Sequence, residues 1–216
     1  MESFVVEGPT PLQGEISVSG AKNSMSKILT ASMLTAEPCH FQNVPAIGDT
    51  EITKEICCAV GAEFSEIEDR KIRVQTAEIK AAEVPESLAK KNRLSVMMLA
   101  PLLHRHGCAV VPAAGGDRIG PRPVDFHIDG LKKLGVEITL EAGYVIAKTK
   151  KMIGNKIVFP KISVGATGNV LMAAVLAEGQ TEIHNAAAEP EIQQLCFFLN
   201  QMGAKISGIG TNILTI

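Results

Sequence analysis

The hydrophobic positions of the chain fall into three similar sets. Apolar helix patterns of about three turns, each followed by a strand pattern, occupy residues 25–44, 93–112 and 168–186. Shorter helices, each leading to a glycine and two short strands joined by a turn, are predicted over 50–60, 124–134 and 190–202. The glycines that end them are Gly61, Gly135 and Gly203, and they recur about every 70 residues. The chain is therefore predicted to contain three copies of one structural unit.

Each unit is completed by a strand pattern ahead of its first helix, which gives the order βαβαββ. These leading strands are predicted at 14–20, 79–85 and 156–161, so that the repeats cover about 21–78, 79–155 and 156–216. Three such units would form one α/β lobe with outer sheets and inner helices. The helix at 170–177 is nearly apolar all round, which favours a buried position over a surface one. An ordinary mixed α+β domain without repeat symmetry remains the alternative.

Composition narrows the possible partners. The chain has 216 residues, 46% of them hydrophobic, and its 21 basic and 23 acidic residues give a net charge of -2, too little to attract a nucleic acid. The longest apolar run, 96–103, is far shorter than a membrane span, and no secretion signal opens the chain. We expect a cytoplasmic protein without membrane or nucleic-acid partners. The five cysteines form no CxxC pair and are expected to be reduced, mostly buried thiols.

Polar residues concentrate where the first helix of each unit begins. The segments are SGAKNS at 19–24, KKNRLS at 90–95 and SVGATGN at 163–169. Free backbone N–H groups and the helix dipole make such helix starts suitable for anions. Lys22, Arg93 and Lys161 lie at or just before them. If the repeat brings the three segments together, three cations would converge on one anionic ligand.

Each of these features also has a purely structural interpretation. Lys22 and Asn23 could be a helix cap with a solvated lysine, and SVGATGN a turn without a ligand. GPRPVD, at 120–125, could be a rigid loop with Asp125 favoured by the helix dipole. His104 and His106 are expected to be solvated helix-end residues, since no metal-ligand spacing accompanies them, and His127 to be packed on a helix.

Four segments in this order resemble the UDP-N-acetylglucosamine 1-carboxyvinyltransferases, also called enolpyruvyl-UDP-GlcNAc synthases. They are SGAKN at 19–23, GGDRIGPRPVDFHIDGLKKLG at 115–135, KISVGAT at 161–167 and EGQTEIHNAAAEPEI at 178–192. The resemblance implies the enolpyruvyl transferase fold, in which two lobes of three βαβαββ units, each an inside-out α/β barrel, enclose the substrates. The chain matches the first lobe, residues 21–216. Residues 1–20 correspond to a strand that normally belongs to the second lobe. The second lobe itself is expected to be absent.

The resemblance also implies the chemistry. These enzymes open peptidoglycan synthesis by transferring the enolpyruvyl group of phosphoenolpyruvate to the 3′-hydroxyl of UDP-N-acetylglucosamine, without a metal or other cofactor. Lys22 and Asn23 would contact phosphoenolpyruvate, and Lys22 and Arg122 would take part in catalysis. The residues expected to line the UDP-N-acetylglucosamine site are Arg93, Arg122, Pro123, Val124, Asp125, Phe126, Lys161, Ile162, Ser163 and Val164.

Asp117 occupies the position at which this family most often has a cysteine that protonates C3 of phosphoenolpyruvate. The resemblance implies that Asp117 is the general acid, as in the members that carry aspartate there. An ordinary aspartate is protonated only about once in a thousand at pH 7, so keeping it neutral costs roughly 4 kcal/mol unless its pKa is raised. Because a carboxylate is a poorer nucleophile than a thiolate, we expect insensitivity to fosfomycin, which alkylates the cysteine.

The isolated lobe is expected to be inactive. The alternative hypothesis is a non-catalytic half-enzyme, an interaction module that pairs with a separate second lobe or with itself as a homo-oligomer.

Overall fold

The computed structural model describes residues 3–92, 94–113 and 124–216, and in them the helices and strands form three successive units. The first unit contains α1 (Lys22–Ser32), β1 (Cys39–Phe41), α2 (Gly48–Ala59), β2 (Glu63–Glu68) and β3 (Lys71–Gln75). The second contains α3 (Glu86–Ala89), a 3₁₀ helix (Leu94–Met98) continued by α4 (Leu99–His106), then β4 (Cys108–Pro112), α5 (Asp125–Lys133), β5 (Glu137–Glu141) and β6 (Tyr144–Lys148). The third contains β7 (Lys156–Val158), α6 (Val164–Ala174), β8 (Glu182–His184), α7 (Pro190–Gln201) and β9 (Ile213–Thr215).

The sheets show the repeat most directly. The first two have the equivalent orders β1-β3-β2 and β4-β6-β5, and all their pairings are antiparallel. In the third sheet β8 lies between β7, which is parallel to it, and β9, which is antiparallel. The predicted lobe of repeated α/β units is confirmed. The described strands form three separate sheets and do not join into the closed barrel that the resemblance implied.

The leading strand of each unit was predicted less well than the rest. It is fully formed only as β7, while the segment 79–85 contributes a single parallel bridge between Glu83 and Val110. Residues 14–20 form no strand within the described chain, and Ile16 and Val18 are 92% and 79% exposed. The described contacts of this segment with the first unit run through Asn43, whose carbonyl accepts from the Gly20 N–H at 3.1 Å and whose side-chain amide donates to the Val18 carbonyl at 3.2 Å. These contacts do not form the ladder that a strand needs.

The helices lie inside, as predicted. The helix α6 packs against α4, α5 and α7, while α1 packs against α2 and α7. Every residue from Ala166 to Ala174 is buried, which explains why α6 has no polar face. One large core includes residues of all three units, and the rings of Phe41 and Phe198, 5.5 Å apart, connect it to a smaller cluster beneath the first sheet.

The three glycines that mark the repeat occupy equivalent places. Gly61, Gly135 and Gly203 directly follow the C-caps of α2, α5 and α7, with φ angles of +123°, +90° and +105°. Residues with a Cβ rarely adopt such positive φ values, and glycine adopts them without strain. The predicted helix ends are therefore confirmed by backbone geometry.

Two residues at the end of α4 connect the units, and one of them corrects a prediction. The guanidinium of Arg105 donates hydrogen bonds to four backbone carbonyls of the first unit, those of Met33, Thr35, Thr76 and Ala77. The His104 Nε2 donates to the Ala173 carbonyl at 2.7 Å, and burial lowers the pKa of His104. His104 is therefore not the solvated residue predicted from its neighbours, whereas His106 is exposed as expected.

The cysteines also differ from expectation. All five are free, but only Cys57 and Cys196 are buried, and Cys58, next to the first of them, is exposed because it faces outward from α2. Burial raises the pKa of Cys196 to about 12, so this thiol stays protonated.

Among the described helices, none has both the length and the hydropathy to cross a membrane.

Candidate functional site

The helix starts that the sequence singled out meet at one pocket of about 690 Å³. It is lined by the first turn of α1, the segment around the 3₁₀ helix and the turn that begins α6, and it is completed by the first turns of α5 and α7. The predicted convergence of the three segments is thus confirmed for the described residues. The volume suits a ligand of the size of a nucleotide or a small metabolite.

The start of α6 is a capped helix N-terminus beside a lysine. The Ser163 side chain accepts a hydrogen bond from the Ala166 N–H at 3.3 Å, which satisfies one of the free amides of the first turn. Lys161 is exposed and forms no ion pair with any residue that the structure describes. The remaining amides, the helix dipole and the Lys161 ammonium together favour an anion at this place.

The start of α1 has a different arrangement. Its N-cap is Ala21, which has no side-chain oxygen, so the interpretation of Lys22 and Asn23 as the helix cap is wrong. The Lys22 Nζ lies 2.8 Å from an oxygen of Asp49, in the first turn of α2. The Asn23 amide donates to Glu191 at 3.4 Å, a long hydrogen bond to the first turn of α7. Both predicted phosphoenolpyruvate contacts therefore already have acidic neighbours.

Lys27 is a pocket residue that the sequence analysis missed. It lies one turn after Asn23, and its Nζ donates to the Asn23 carbonyl at 3.0 Å. Burial lowers the pKa of Lys27, and the nearby carboxylates of Glu191 and Glu189 oppose that shift. The spacing of four residues from Asn23 could have revealed it, because residues so spaced lie on one face of a helix.

The start of α5 contributes an acid, an aromatic ring and an imidazole. Asp125 accepts a hydrogen bond from the Phe126 N–H at 3.0 Å, and the Phe126 ring stacks on Phe159 at a centroid distance of 6.3 Å. His127 is only 6% exposed, yet it lines the pocket. The sequence predicted a histidine packed on a helix, and the structure shows that it is packed and also lines the site.

The predicted site residues thus divide into three groups. Lys22, Asn23, Asp125 and Phe126 line the pocket together with the run from Lys161 to Val164. Val124, the N-cap of α5, precedes the lining residues and packs against the core. The predicted residues outside the described part of the chain are Arg93, Asp117, Arg122 and Pro123.

Asp49 and Glu191 were also missed by sequence reasoning. Each lies in the first turn of a helix from another part of the chain, where an acid is common for reasons of stability alone. Within the described residues, no three His, Cys, Asp or Glu side chains are placed to hold a metal ion. The lysines, free backbone amides and helix starts that line the pocket can bind an anion.

Comparison with known proteins extends this picture. The family model of EPSP synthase (3-phosphoshikimate 1-carboxyvinyltransferase) matches residues 6–216. The whole chain is 43% identical to a UDP-N-acetylglucosamine 1-carboxyvinyltransferase of Hydrogenovibrio crunogenus and 48% identical to that of Chloroherpeton thalassium. It covers 52% and 51% of these relatives, so it spans about half their length.

Solved structures agree on the fold. The enolpyruvyl transferase NikO from Streptomyces tendae matches 95% of this chain with a TM-score of 0.82 at 22% identity, and the match covers 48% of NikO. EPSP synthase from Acinetobacter baumannii matches 94% with a TM-score of 0.71 at 16% identity, over 46% of its length. At these identities the likeness concerns the fold.

Proposed function

Because the chain belongs to the EPSP synthase (3-phosphoshikimate 1-carboxyvinyltransferase) family, we propose that it acts as the first lobe of a UDP-N-acetylglucosamine 1-carboxyvinyltransferase. The observation that carries the proposal is the pocket at which α1, α5, α6 and α7 all begin. It combines lysines with helix N-termini, and both proposed substrates are phosphorylated anions. The names of the relatives supply the identity of the nucleotide sugar.

In the proposed reaction the 3′-hydroxyl of UDP-N-acetylglucosamine gives its proton to a base, its oxygen forms a bond to C2 of phosphoenolpyruvate, and the C2=C3 double bond opens as C3 gains a proton from the general acid. The C2–O bond to phosphate then breaks, C3 returns its proton so that the C2=C3 double bond forms again, and phosphate leaves with the proton that came from the hydroxyl. The start of α6, with Lys161 and the Ser163 cap, suits the diphosphate of the nucleotide sugar. Lys22 and Asn23 suit phosphoenolpyruvate, whose charge would compete with Asp49 for the Lys22 ammonium.

Asp117 is proposed as the general acid that protonates C3, on the basis of the resemblance alone. Its pKa would have to rise when both anions are bound, because nearby negative charge and loss of water disfavour a carboxylate. In a complete enzyme, we expect Asp117→Asn to abolish turnover while UDP-N-acetylglucosamine still binds. Normal turnover by that variant would exclude the role. The proposal includes insensitivity to fosfomycin, which a covalent adduct at Asp117 detected by mass spectrometry would refute.

The function is tested by supplying the missing half. The purified chain is mixed with a separately produced second lobe of a relative, and phosphate release from phosphoenolpyruvate is measured with UDP-N-acetylglucosamine present. We expect release with the mixture and none with either part alone. Release by the chain alone would contradict the two-lobe account. The absence of product from a mixture shown to form a complex would contradict the proposed reaction.

A second candidate function is a non-catalytic interaction module. The observation in its favour is the row of exposed apolar side chains near the N-terminus, which includes Phe4, Val5, Val6, Leu12, Ile16 and Val18. Such side chains favour association with a partner, here a second lobe or a second copy of the chain. The mass in solution distinguishes the two, since a homodimer that excludes the supplied second lobe would favour the module over the enzyme.

A further inference from the structure

Lys27 brings its ammonium back to the start of α1, although the residue itself lies in the second turn of the helix. Side chains on an α-helix point towards its N-terminus, and the Lys27 Nζ donates a hydrogen bond to the Asn23 carbonyl at 3.0 Å. The start of α1 has no side-chain cap, so amides of its first turn remain available. Lys22 and Lys27 both line the pocket. Two lysines therefore present their side chains to the pocket from one helix.

The Lys27 ammonium retains hydrogen-bond donors. An ammonium carries three N–H groups, and the described residues accept only one of them, at the Asn23 carbonyl. Glu189 and Glu191, at the start of α7, lie near enough to favour the charged form of Lys27. Within the described chain, however, no carboxylate comes within ion-pair distance of its Nζ. Lys27 is therefore a pocket cation that still has donors to offer to a ligand.

Keeping this cation in the fold has a cost. Lys27 is half-buried, and burial lowers the pKa of Lys27 because the charged form loses contact with water. Its one hydrogen bond joins two residues of the same helix, so it adds no contact between elements of the fold. Residues that reduce stability without a structural benefit are found mainly at functional sites. The position of Lys27 in the pocket therefore points to a ligand.

We propose that Lys27 is an additional binding residue of the pocket, whose ammonium contacts one of the two anionic groups of phosphoenolpyruvate while Lys22 contacts the other. Phosphoenolpyruvate carries a phosphate and a carboxylate, and a charge-assisted hydrogen bond to either is stronger than a neutral one. At Lys22 the anion must displace Asp49, whereas Lys27 has no close carboxylate to lose in the described chain. The identity of the ligand rests on the proposed function, but anion binding by Lys27 does not.

The first test compares two lysine variants. Phosphoenolpyruvate is titrated by calorimetry into the chain with a second lobe supplied, and the nucleotide sugar is left out so that no turnover occurs. Lys27→Met should fold, because its neutral side chain is easier to bury, and should weaken the affinity about tenfold, the effect of losing one charge-assisted hydrogen bond. Lys54→Met is the matched control, since Lys54 is also half-buried but does not line this pocket. Unchanged affinity in Lys27→Met would overturn the proposal.

The second test separates a direct contact from an effect through the neighbouring acids. If Lys27 only offset the charges of Glu189 and Glu191, its removal would cease to matter once both carboxylates were neutral. Glutamine at both positions removes the charges and keeps an acceptor for the Asn23 amide. In this Glu189→Gln, Glu191→Gln background we expect Lys27→Met to weaken phosphoenolpyruvate binding about tenfold again. Loss of the effect there would show that Lys27 does not contact the ligand.

The third test uses inorganic phosphate and pyruvate, each of which carries one of the two anionic groups. Their binding is followed by NMR shift titration, which detects weak ligands. Lys27→Met should weaken the binding of one of them and spare the other, and Lys22→Met should show the reverse pattern. Weaker binding of both ligands by Lys27→Met would contradict the division of the two groups between the two lysines.

The possible outcomes distinguish this inference from the proposed function. If phosphoenolpyruvate binds equally well to the unmodified chain and to Lys27→Met, the role of Lys27 is wrong and the proposed function stands. If phosphoenolpyruvate does not bind, but inorganic phosphate or pyruvate binds in a way that depends on Lys27, the proposed substrate is wrong and Lys27 is still an anion-binding residue. If none of the three ligands depends on Lys27, the inference is wrong whatever the function.

Discussion

The starts of α1 and α6 line the same pocket, but their lysines have different neighbours. At α6 the helix is capped by Ser163, and Lys161 has no acidic partner in the described chain. At α1 the helix has no side-chain cap, and Lys22 is paired with Asp49 at 2.8 Å. An anion can therefore bind at α6 directly, whereas at α1 it must compete with a carboxylate. We therefore expect the start of α6 to bind an anion without any rearrangement. At the start of α1, the anion must first displace Asp49 from Lys22.

The largest effect is expected when the cation is removed from the α6 side. Lys161→Met should weaken UDP-N-acetylglucosamine binding about tenfold or more, because a hydrogen bond to a charged group contributes roughly 1.5–3 kcal/mol. Titration calorimetry measures this change. Lys205→Met is the control, since Lys205 is also exposed in the third unit but does not line the pocket. Equal losses in both variants would show that only the overall charge matters.

Exchanging the caps should change stability in opposite directions. Ser163→Ala removes the N-cap bond of α6 and should lower the free energy of unfolding by about 1 kcal/mol. Ala21→Ser offers a cap to α1, where the backbone is already extended at φ -76° and ψ 127°, and should raise it by up to about 1 kcal/mol. Urea unfolding monitored by circular dichroism measures both. Changes of the same sign would contradict the contrast between the two helix starts.

Releasing Lys22 should produce a smaller gain. Asp49→Asn removes the carboxylate without changing its shape, so phosphoenolpyruvate should bind about two- to fivefold more tightly, since exposed ion pairs contribute only about 0–1 kcal/mol. The same variant should leave UDP-N-acetylglucosamine binding unchanged. Competition titrations with the two ligands separate these effects. Unchanged affinity for phosphoenolpyruvate would mean that Asp49 does not restrain Lys22.

The smallest effect concerns Lys27 and depends on pH. Because burial lowers the pKa of Lys27, the folded chain binds this proton less tightly than the unfolded chain does. The charged lysine thus destabilises the fold at neutral pH, and this cost fades as the pH rises from the lowered pKa towards 10.5. Lys27→Met should raise Tm at pH 7, with a gain that shrinks as the pH approaches 10.5. A rise in Tm that does not change with pH would show that the substitution acts through packing and not through the charge of Lys27.

The sequence predicted the repeated parts of the fold well for a physical reason. The positive φ angles after three helices require glycine, at Gly61, Gly135 and Gly203. The burial of α6 requires apolar residues on all its sides. Both requirements are local and can therefore be recognised in the sequence. The leading strand at 14–20 was predicted from the same kind of pattern but is not formed. Alternation shows that a segment is able to pair, but it does not show whether a partner strand lies beside it.

The site was predicted in part for a similar reason. The helix starts at Lys22 and Lys161 were recognised because glycines and polar residues gather there. Asp49 and Glu191 come from distant parts of the chain and reach the pocket only through helix packing. In the sequence Lys27 cannot be distinguished from a solvated lysine, because its burial depends on the packing of α7 against α1.

The central claim is that the start of α6 binds the nucleotide sugar. It is tested most directly by titrating the 216-residue chain with UDP-N-acetylglucosamine by calorimetry, with and without a supplied second lobe. The account predicts weak, saturable binding at one site to the chain alone, tighter binding with the second lobe, and a matching loss in Lys161→Met under both conditions. Absence of binding in the presence of the second lobe, or unchanged binding by Lys161→Met, would contradict it.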